Sequence, residues 1–379
     1  MIRVRSVAQP LQAVFVGFFL VAVLAGCAGP DKPKPTPLAA NNALIGIRQA
    51  WSAVAGPDAI PLEIRVVGDQ IYVANTNGVL VAIDARTGGD IWRMQLSGAL
   101  TAGVGSDGRF VAVVNRENEL IVVDAGRELW RQKLGAVTLT APLVAGARIF
   151  TLSGDRTVAA FDASTGRKLW SQQRSTDPLV LGQSGLIFAA GDTLVIGLGG
   201  RLVGMSPQNG SVRWDVQLAN SRGTNEVERL VDLVSGISRS GDAACMRAFQ
   251  SSVGCVNLAR GGLVWSKPAN GSTGLGGNED TIFGTESDSK VIAWRRTDGE
   301  RLWVSELLRF HGLTTPLVAG RSVVVGDTAG FVHFLSREDG ALLNRLPTDG
   351  SAIVGAPVMA GQTLIVATRR GGIFGFRPE

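Results

Sequence analysis

The feature of this chain that most limits its fold is a repeated segment ending in Trp. The clearest copies are residues 84–92 (Asp-Ala-Arg-Thr-Gly-Gly-Asp-Ile-Trp) and 162–170 (Asp-Ala-Ser-Thr-Gly-Arg-Lys-Leu-Trp). Further copies are the shortened 124–130, looser segments ending at Trp214, Trp265 and Trp303, and 336–344, which has Asn344 in place of Trp. The copies recur about every 40 residues, and a period of this length indicates repeated supersecondary units.

Each unit reads as four strands. A β-branched run such as 79–83 leads into the Asp-Ala-x-Thr-Gly turn, in which Asp bonds the local backbone and Gly supplies positive φ. The strand carrying Trp follows. An earlier strand begins with Pro-Leu-Val, at 142–144 and again at 316–318, and proline fits the first residue of a strand. Four-stranded units of this length are typical of propeller blades.

Counting the third strand of each unit predicts eight blades. These strands end near Asp84, Asp124, Asp162, Ser206, Asn257, Trp294, Ser336 and Phe376. No Trp strand follows the last one, whereas a Trp strand without a unit of its own surrounds Trp51. We therefore expect an all-β, eight-bladed β-propeller, closed by pairing of the N-terminal and C-terminal strands, which removes exposed strand edges.

The repeat Trp residues are expected to pack between adjacent blades, because a buried indole contributes about 4–6 kcal/mol of gross hydrophobic stabilisation. The alternative role for such residues is stacking against a cofactor. The residues concerned are Trp51, Trp92, Trp130, Trp170, Trp214, Trp265 and Trp303.

Composition argues against several classes of function. The chain of 379 residues has 2 His and 3 Cys, too few for a His-rich or four-Cys metal site. A net charge of +5 is mild for this length and does not indicate nucleic-acid binding. No Ser-His-Asp elbow or phosphate loop is visible, and His333 alternates within a strand pattern. We therefore predict no catalytic residues, no metal and no cofactor.

The N-terminus has the pattern of a secretory signal. Arg3 and Arg5 precede an apolar run at 11–24, which is too short to predict a membrane span. The run ends in Leu-Ala-Gly-Cys at 24–27, which resembles the bacterial lipobox. That resemblance implies cleavage before Cys27, acylation of Cys27, and, because Ala28 follows instead of Asp, transfer to the outer membrane; an ordinary signal peptide with an incidental Cys is the alternative.

The alternating prolines after Gly29 favour an extended spacer, or else a tail of no mechanical importance. The sequence thus predicts a signal peptide at 1–26, a lipidated Cys with a Pro-rich linker at 27–45, and a single propeller at 46–379.

Two cysteines remain after Cys27. Cys245 and Cys255 flank an expected hairpin turn around Gln250 at equal distances, in a chain predicted to enter an oxidising compartment. We expect a cross-strand disulfide between them in the fifth blade. Two buried free thiols are the alternative.

The Asp-Ala-x-Thr-Gly-x-x-x-Trp repeat resembles that of pyrroloquinoline-quinone (PQQ)-type eight-bladed propellers. Two groups share it: quinoprotein dehydrogenases, and the BamB family of lipoprotein subunits of the outer-membrane β-barrel assembly machinery. A lipobox combined with one propeller is similar to the BamB family. The dehydrogenases are usually much longer, hold Ca²⁺ with a catalytic Asp, and often carry an adjacent Cys pair, which is absent from this sequence.

A local match extends the resemblance. Residues 226–232 (Glu-Val-Glu-Arg-Leu-Val-Asp) are similar to the family's Glu-x-x-Arg-Leu-x-Asp segment, and Leu179 and Leu181 match its Leu-x-Leu loop. The family usually has Arg and a second acid where this chain has Gly182 and Val234. The resemblance implies that these segments bind BamA, the barrel-bearing subunit, through Leu179, Leu181, Glu226, Arg229, Leu230 and Asp232.

The resemblance implies a non-catalytic scaffold that faces the periplasm. It would bind the periplasmic domains of BamA, join the rest of the assembly complex and contact unfolded outer-membrane proteins. The repeat leaves two other functions open: a quinone-dependent dehydrogenase, or a periplasmic propeller with another envelope partner. At the interface, the leucines could instead be ordinary strand residues, with Arg229 paired locally to Glu226 or Asp232.

Overall fold

The fold was analysed in a computed structural model that describes residues 33–56, 60–174, 181–220 and 231–379. These residues form eight antiparallel four-stranded sheets. The predicted all-β, eight-bladed propeller is therefore confirmed. Within the described part of the chain no helix is long and apolar enough to cross a membrane.

Seven blades each contain four consecutive strands, and the eighth contains the last three strands together with the first. Blades 1 to 4 contain β2–β5, β6–β9, β10–β13 and β14–β17, blades 5 to 7 contain β18–β21, β22–β25 and β26–β29, and blade 8 contains β30–β32 with β1. The bounds are β1 Ile47–Val54, β2 Arg65–Val67, β3 Gln70–Ala74, β4 Val79–Asp84, β5 Asp90–Gln95, β6 Gly105–Ser106, β7 Phe110–Val114, β8 Glu119–Asp124, β9 Arg127–Lys133, β10 Leu143–Ala145, β11 Arg148–Leu152, β12 Thr157–Asp162, β13 Lys168–Gln173, β14 Ile187–Ala190, β15 Thr193–Leu198, β16 Arg201–Met205, β17 Val212–Gln217, β18 Ser238–Ser240, β19 Ala243–Ala248, β20 Ser252–Asn257, β21 Gly262–Pro268, β22 Leu275–Gly277, β23 Thr281–Thr285, β24 Val291–Arg295, β25 Arg301–Ser305, β26 Leu317–Ala319, β27 Ser322–Gly326, β28 Phe331–Ser336, β29 Leu342–Pro347, β30 Ile353–Ala360, β31 Thr363–Thr368 and β32 Gly372–Pro378.

The first strands of neighbouring blades contact one another and form the inner ring of the propeller. The second and third strands are almost fully buried, because both of their faces pack against neighbouring blades. That burial explains their β-branched runs. Strands that carry Trp form the outer edges of seven blades, as the sequence predicted, and β29, which has Asn344 in place of Trp, forms the outer edge of blade 7.

The eighth blade closes the ring. β1 pairs antiparallel with β32, so that Trp51 lies opposite Gly375 and Ser52 lies opposite Phe374. Closure by pairing of the two terminal strands is therefore confirmed. It converts the outward edge of β32, which would otherwise present free backbone groups, into a paired strand.

The repeat turn explains both its Asp and its Gly. The Asp84 carboxylate accepts hydrogen bonds from the backbone N–H groups of Arg86 and Thr87. Gly88 has a φ of 75°, and an added Cβ there would lie 2.6 Å from the ring of Trp51 in the preceding blade. Trp51 in turn donates its indole N–H to the carbonyl of Ala85 at 3.0 Å. The Gly of one repeat thus leaves room for the Trp of the previous one.

The chain before β1 contacts the seventh blade. Thr36–Glu379 forms one compact unit. The backbone N–H of Leu44 bonds to the Leu343 carbonyl, and Asn344 donates its side-chain amide to the Ile45 carbonyl at 2.8 Å. Asn344 replaces Trp because its amide binds the main chain of this segment, which we call the strap (residues 36–45).

Residues 36–45 of the predicted linker lie along the sixth and seventh blades. The amide of Asn41 bonds to the side-chain oxygen of Asn344, and the backbone N–H of Thr36 bonds to the Arg309 carbonyl. Leu38 packs against the apolar core between the sixth and seventh blades. These hydrogen bonds and the partly buried Leu38 hold the strap against the propeller.

Cys245 and Cys255 face each other on β19 and β20, and a disulfide joins them. Their Cα atoms are 4.0 Å apart, and both side chains are buried between the fifth and sixth blades. The bond links adjacent strands of the blade that follows the predicted docking segments.

Candidate functional site

Two of the six residues implied as partner contacts lie in the described part of the chain. These are Leu181, which precedes the fourth blade, and Asp232, which precedes the fifth. The other four, Leu179, Glu226, Arg229 and Leu230, lie outside the described residues, as does Cys27.

The structure brings Leu181 and Asp232 together. The backbone N–H of Leu181 donates to Oδ2 of Asp232 at 2.9 Å, across 51 positions of sequence. The other carboxylate oxygen of Asp232 lies 2.7 Å from the guanidinium of Arg156 on the third blade. Asp232 therefore connects the chain preceding blade 4 with a turn of blade 3.

An apolar cleft lies beside this ion pair. It has a volume of about 90 Å³ and is lined by residues of blades 3, 4 and 5, among them Val137, Leu139, Leu152, Leu181 and Leu233. Val137 is 53% exposed at this cleft. The cleft thus combines one exposed and two half-buried apolar side chains, Val137, Leu139 and Leu181, with the ion pair of Arg156 and Asp232.

The two departures from the family pattern have different structural consequences. Gly182 is exposed and offers no charge to the cleft. Val234 is buried in the core, so the position of the second acid is an apolar packing site in this chain. The cation that pairs with Asp232 is Arg156, which no sequence pattern indicated because it lies in another blade, 76 positions earlier.

The centre of the ring holds a second cavity, of about 310 Å³. The Glu63 carboxylate, next to blade 1, accepts hydrogen bonds from Ser184 and Ser235 on the opposite side. Arg65 is the other charged residue in this lining. A Ca²⁺ site needs six to eight oxygen ligands, usually including several carboxylates. The lining therefore does not fit the Ca²⁺ site that a dehydrogenase resemblance implies. Among the described residues no cluster of His, Cys, Asp and Glu is arranged to bind a metal.

Both histidines of the chain meet at one carboxylate. Nε2 of His333 lies 2.8 Å from Oδ2 of Asp327, and Nδ1 of His311 lies 3.5 Å from the same oxygen. Nε2 of His311 contacts the Thr36 carbonyl of the strap at 2.9 Å. Asp327 and His333 have no exposed surface, so this cluster stabilises the seventh blade and is inaccessible to a substrate.

This cluster predicts a loss of stability below neutral pH. Burial lowers the pKa of His333 below its usual 6.5. The Asp327 carboxylate opposes this shift, and the positive charges of Arg345 and His311 add to it. A proton on Nδ1 would find no acceptor among the described residues. The unfolded chain therefore takes up this proton at higher pH than the folded chain, and stability falls as pH drops below about 6.5, by about 1.4 kcal/mol per unit of pKa difference.

We expect His333→Gln to flatten this dependence, because Gln keeps a donor for Asp327 and does not titrate. The measurement is urea unfolding of both proteins between pH 7.5 and pH 5. Burial opposes ionisation of Asp327, but hydrogen bonds from His333 and the backbone lower its pKa below 3.8, so it stays charged in this range. Equal slopes for the two proteins would contradict the assignment.

These features define the class of the molecule: a closed eight-bladed propeller built from PQQ-like repeats, with an apolar cleft where three blades meet. A family model described as "Outer membrane protein assembly factor BamB" matches residues 76–305. A protein of that name from Burkholderia pseudomallei (strain K96243) is 36% identical over 365 residues, 95% of this chain and 96% of the relative. Its namesake from Bordetella pertussis is 32% identical over 92% of this chain and 93% of its own. The chain belongs to the BamB family.

Solved structures agree on the fold. The crystal structure of BamB from Moraxella catarrhalis has a TM-score of 0.80 at 22% identity and covers 87% of this chain and 99% of that one. A quinohemoprotein alcohol dehydrogenase from Comamonas testosteroni has a TM-score of 0.68 at 16% identity, covering 89% of this chain and 78% of that one. At these identities the likeness concerns the propeller alone.

Proposed function

We propose that this chain is an outer-membrane lipoprotein that serves as a non-catalytic scaffold in β-barrel assembly. It binds the periplasmic domains of BamA and assists the folding and insertion of outer-membrane proteins. The observation that carries the proposal is the cleft beside Leu181 and Asp232, in a chain whose relatives are named as assembly factors for outer-membrane proteins.

The proposed anchor is the acylated Cys27, which would hold the propeller at the periplasmic face of the outer membrane. Several acyl chains give stable attachment, since each buried CH₂ contributes about 0.8 kcal/mol. The strap begins at Thr36, so eight residues, 28–35, lie between the proposed anchor at Cys27 and the first strap contact. Fully extended, the nine steps from Cys27 to Thr36 span about 30 Å, which would keep the propeller close to the membrane surface.

The chemistry of the cleft supports a protein partner. Leu181 contributes an apolar side chain at its edge, and Val137 and Leu139 extend the apolar lining. The Asp232 carboxylate is engaged by Arg156 and by the Leu181 backbone, so the charge is neutralised inside the protein. A partner that covers this surface gains apolar burial without leaving a charge unpaired.

The test is recovery of BamA after mild crosslinking and affinity purification from the envelope. We expect Leu179→Asp combined with Leu181→Asp to lower that recovery about tenfold or more, because two carboxylates would have to be buried in the interface.

The matched control places the same change on another blade. Leu302 and Val304 are exposed apolar side chains two positions apart on β25 in the sixth blade. Leu302→Asp with Val304→Asp should leave the recovery of BamA unchanged. Equal recovery from both double variants, or no BamA with the unmodified chain, would overturn the proposal.

A further inference from the structure

The central cavity, with its volume of about 310 Å³, lies among the inner strands of the propeller. Blades 1 to 4 contribute their first strands, β2, β6, β10 and β14, blade 8 contributes β30, and the residues entering blade 5 complete the lining. All of these positions belong to the described part of the chain. Pockets that bind small organic molecules have volumes of about 300–1,000 Å³, so this cavity is large enough for a small ligand.

Most of the side chains on the wall of this cavity are apolar. Half-buried Leu143 comes from blade 3, and half-buried Ile187 and Phe188 come from blade 4. Ile237, at the entry of blade 5, and Val358, in blade 8, extend this apolar wall. An apolar wall with a small number of polar groups is the usual composition of a small-molecule site.

Glu63 is the anion of the cavity. Its carboxylate accepts hydrogen bonds from the hydroxyl of Ser184 at 3.1 Å and from the hydroxyl of Ser235. Both donors are neutral, and among the described residues no cation forms an ion pair with Glu63. A carboxylate has about four acceptor positions, so two of them remain for a ligand. The serines therefore orient the carboxylate without neutralising its charge.

The surrounding chain leaves room for this carboxylate. A Cβ added at Gly103, which enters blade 2, would lie 2.6 Å from the Cβ of Glu63. A larger residue at position 103 would therefore push Glu63 away from its two serines. Contacts from the entries of three blades thus hold the acid in one position, and a binding group that is fixed in advance costs less entropy when a ligand binds.

Arg65 is the cation of the cavity, two positions along the chain from Glu63 at the start of β2. Its Nε donates to the Ser106 carbonyl of blade 2 at 3.1 Å. The two terminal nitrogens of its guanidinium form no hydrogen bond with the described residues, and Arg65 does not pair with Glu63. Such free N–H groups can bind a carboxylate through two parallel hydrogen bonds.

We propose that the central cavity binds an α-amino acid with an apolar side chain. Its ammonium group pairs with Glu63, its carboxylate pairs with Arg65, and its side chain covers the apolar wall. A zwitterion neutralises both charges at once, whereas a simple carboxylate or a simple amine leaves one of them unpaired. None of the six residues implied as BamA contacts lines this cavity, so the two proposals can fail separately.

The test is titration of the purified full chain with L-phenylalanine, with binding measured by isothermal calorimetry. Two analogues each remove one charge from this probe: N-acetyl-L-phenylalanine has no ammonium group, and L-phenylalaninamide has no carboxylate. We expect each analogue to bind about tenfold or more weakly than phenylalanine, because each leaves one charge of the cavity unpaired. L-Serine, which cannot cover the apolar wall, should be weaker by a similar factor.

Two variants assign the two charges to their residues. Glu63→Gln should weaken the binding of phenylalanine about tenfold and should not weaken that of N-acetyl-L-phenylalanine, which has no ammonium group to lose. Arg65→Gln should weaken phenylalanine to a similar extent and should not weaken L-phenylalaninamide. The matched controls are Glu279→Gln and Arg301→Gln, exposed positions of blade 6 outside the cavity, which should leave binding unchanged.

The proposal is wrong if the unmodified chain gives no saturable binding of phenylalanine, or if it binds the acetylated or the amidated probe as tightly. These comparisons use the unmodified chain, so they decide the question even where a variant fails to fold. If Glu63→Gln lowers the melting temperature while phenylalanine binds as before, Glu63 is a structural link between blades and the ligand assignment fails.

Discussion

A chain shortened to begin at Gly56 is expected to lose its stable fold. It lacks β1, so the eighth blade keeps three strands and β32 presents an unpaired edge. The loss includes burial of Trp51, which is 8% exposed, and its hydrogen bond to the first blade. Burial of one Trp is worth about 4–6 kcal/mol gross, comparable with the whole stability of many proteins. We expect the shortened chain to melt far below the longer form and to aggregate through the open edge.

The matched control begins at Thr36, so it keeps the strap and β1 and removes only what precedes the compact unit. Thermal unfolding by circular dichroism and size-exclusion chromatography compare the two. A form beginning at Gly56 that stays monomeric and melts with the control would contradict the closure mechanism.

The sequence was sufficient to predict closure of the ring, because each of the two strands that pair was recognisable from its own local pattern. Trp51 stands in a strand without a unit, and the strand ending near Phe376 has no Trp strand after it. Counting the third strand of each repeat gave eight blades. The last of them lacked an outer strand, which the strand around Trp51 could supply. Backbone pairing then follows from the rule that open strand edges are covered.

The strap and Arg156 were not predictable in the same way. Asn344 was visible as a replacement for Trp, but its partner is the main chain near Ile45, which no local pattern connects to it. The alternating prolines at 30–37 indicated an extended spacer, and an extended backbone can also lie against a blade. Arg156 reads as an ordinary turn residue, because a left-handed conformation leaves no mark on a sequence when the residue is not Gly or Asn.

The interface residues illustrate a further limit. The family resemblance matched Leu179 and Leu181 to one segment and Asp232 to another, and in the structure a hydrogen bond joins Leu181 to Asp232. The two are brought together because consecutive blades place their entry segments side by side around the ring. Sequence resemblance identified the residues, and only the blade geometry assigned Asp232 its interior partner.

Trp170→Ala is expected to destabilise the propeller by about 3–5 kcal/mol. Its indole packs near Phe150, with ring centroids 6.0 Å apart, and donates to the Pro207 carbonyl of the next blade at 3.0 Å. Gly210 lies beneath it, where a Cβ would come within 2.8 Å of the ring. Replacing Trp170 with Ala therefore leaves an empty space between Phe150 and the turn of the fourth blade.

Trp170→Phe separates packing from hydrogen bonding, since it keeps most of the apolar ring and loses the indole N–H. We expect a cost of about 1–2 kcal/mol for that variant, because the Pro207 carbonyl lies at a partly exposed edge and water can replace the donor. Both values are measured by urea unfolding monitored by the far-ultraviolet circular dichroism of the backbone, because replacing Trp170 changes the tryptophan fluorescence. If the two variants lose the same free energy of unfolding, the contact between blades 3 and 4 depends on the hydrogen bond. If neither variant is destabilised, Trp170 does not join the blades. The expected order, Ala well above Phe, follows from the apolar contact being the larger contribution.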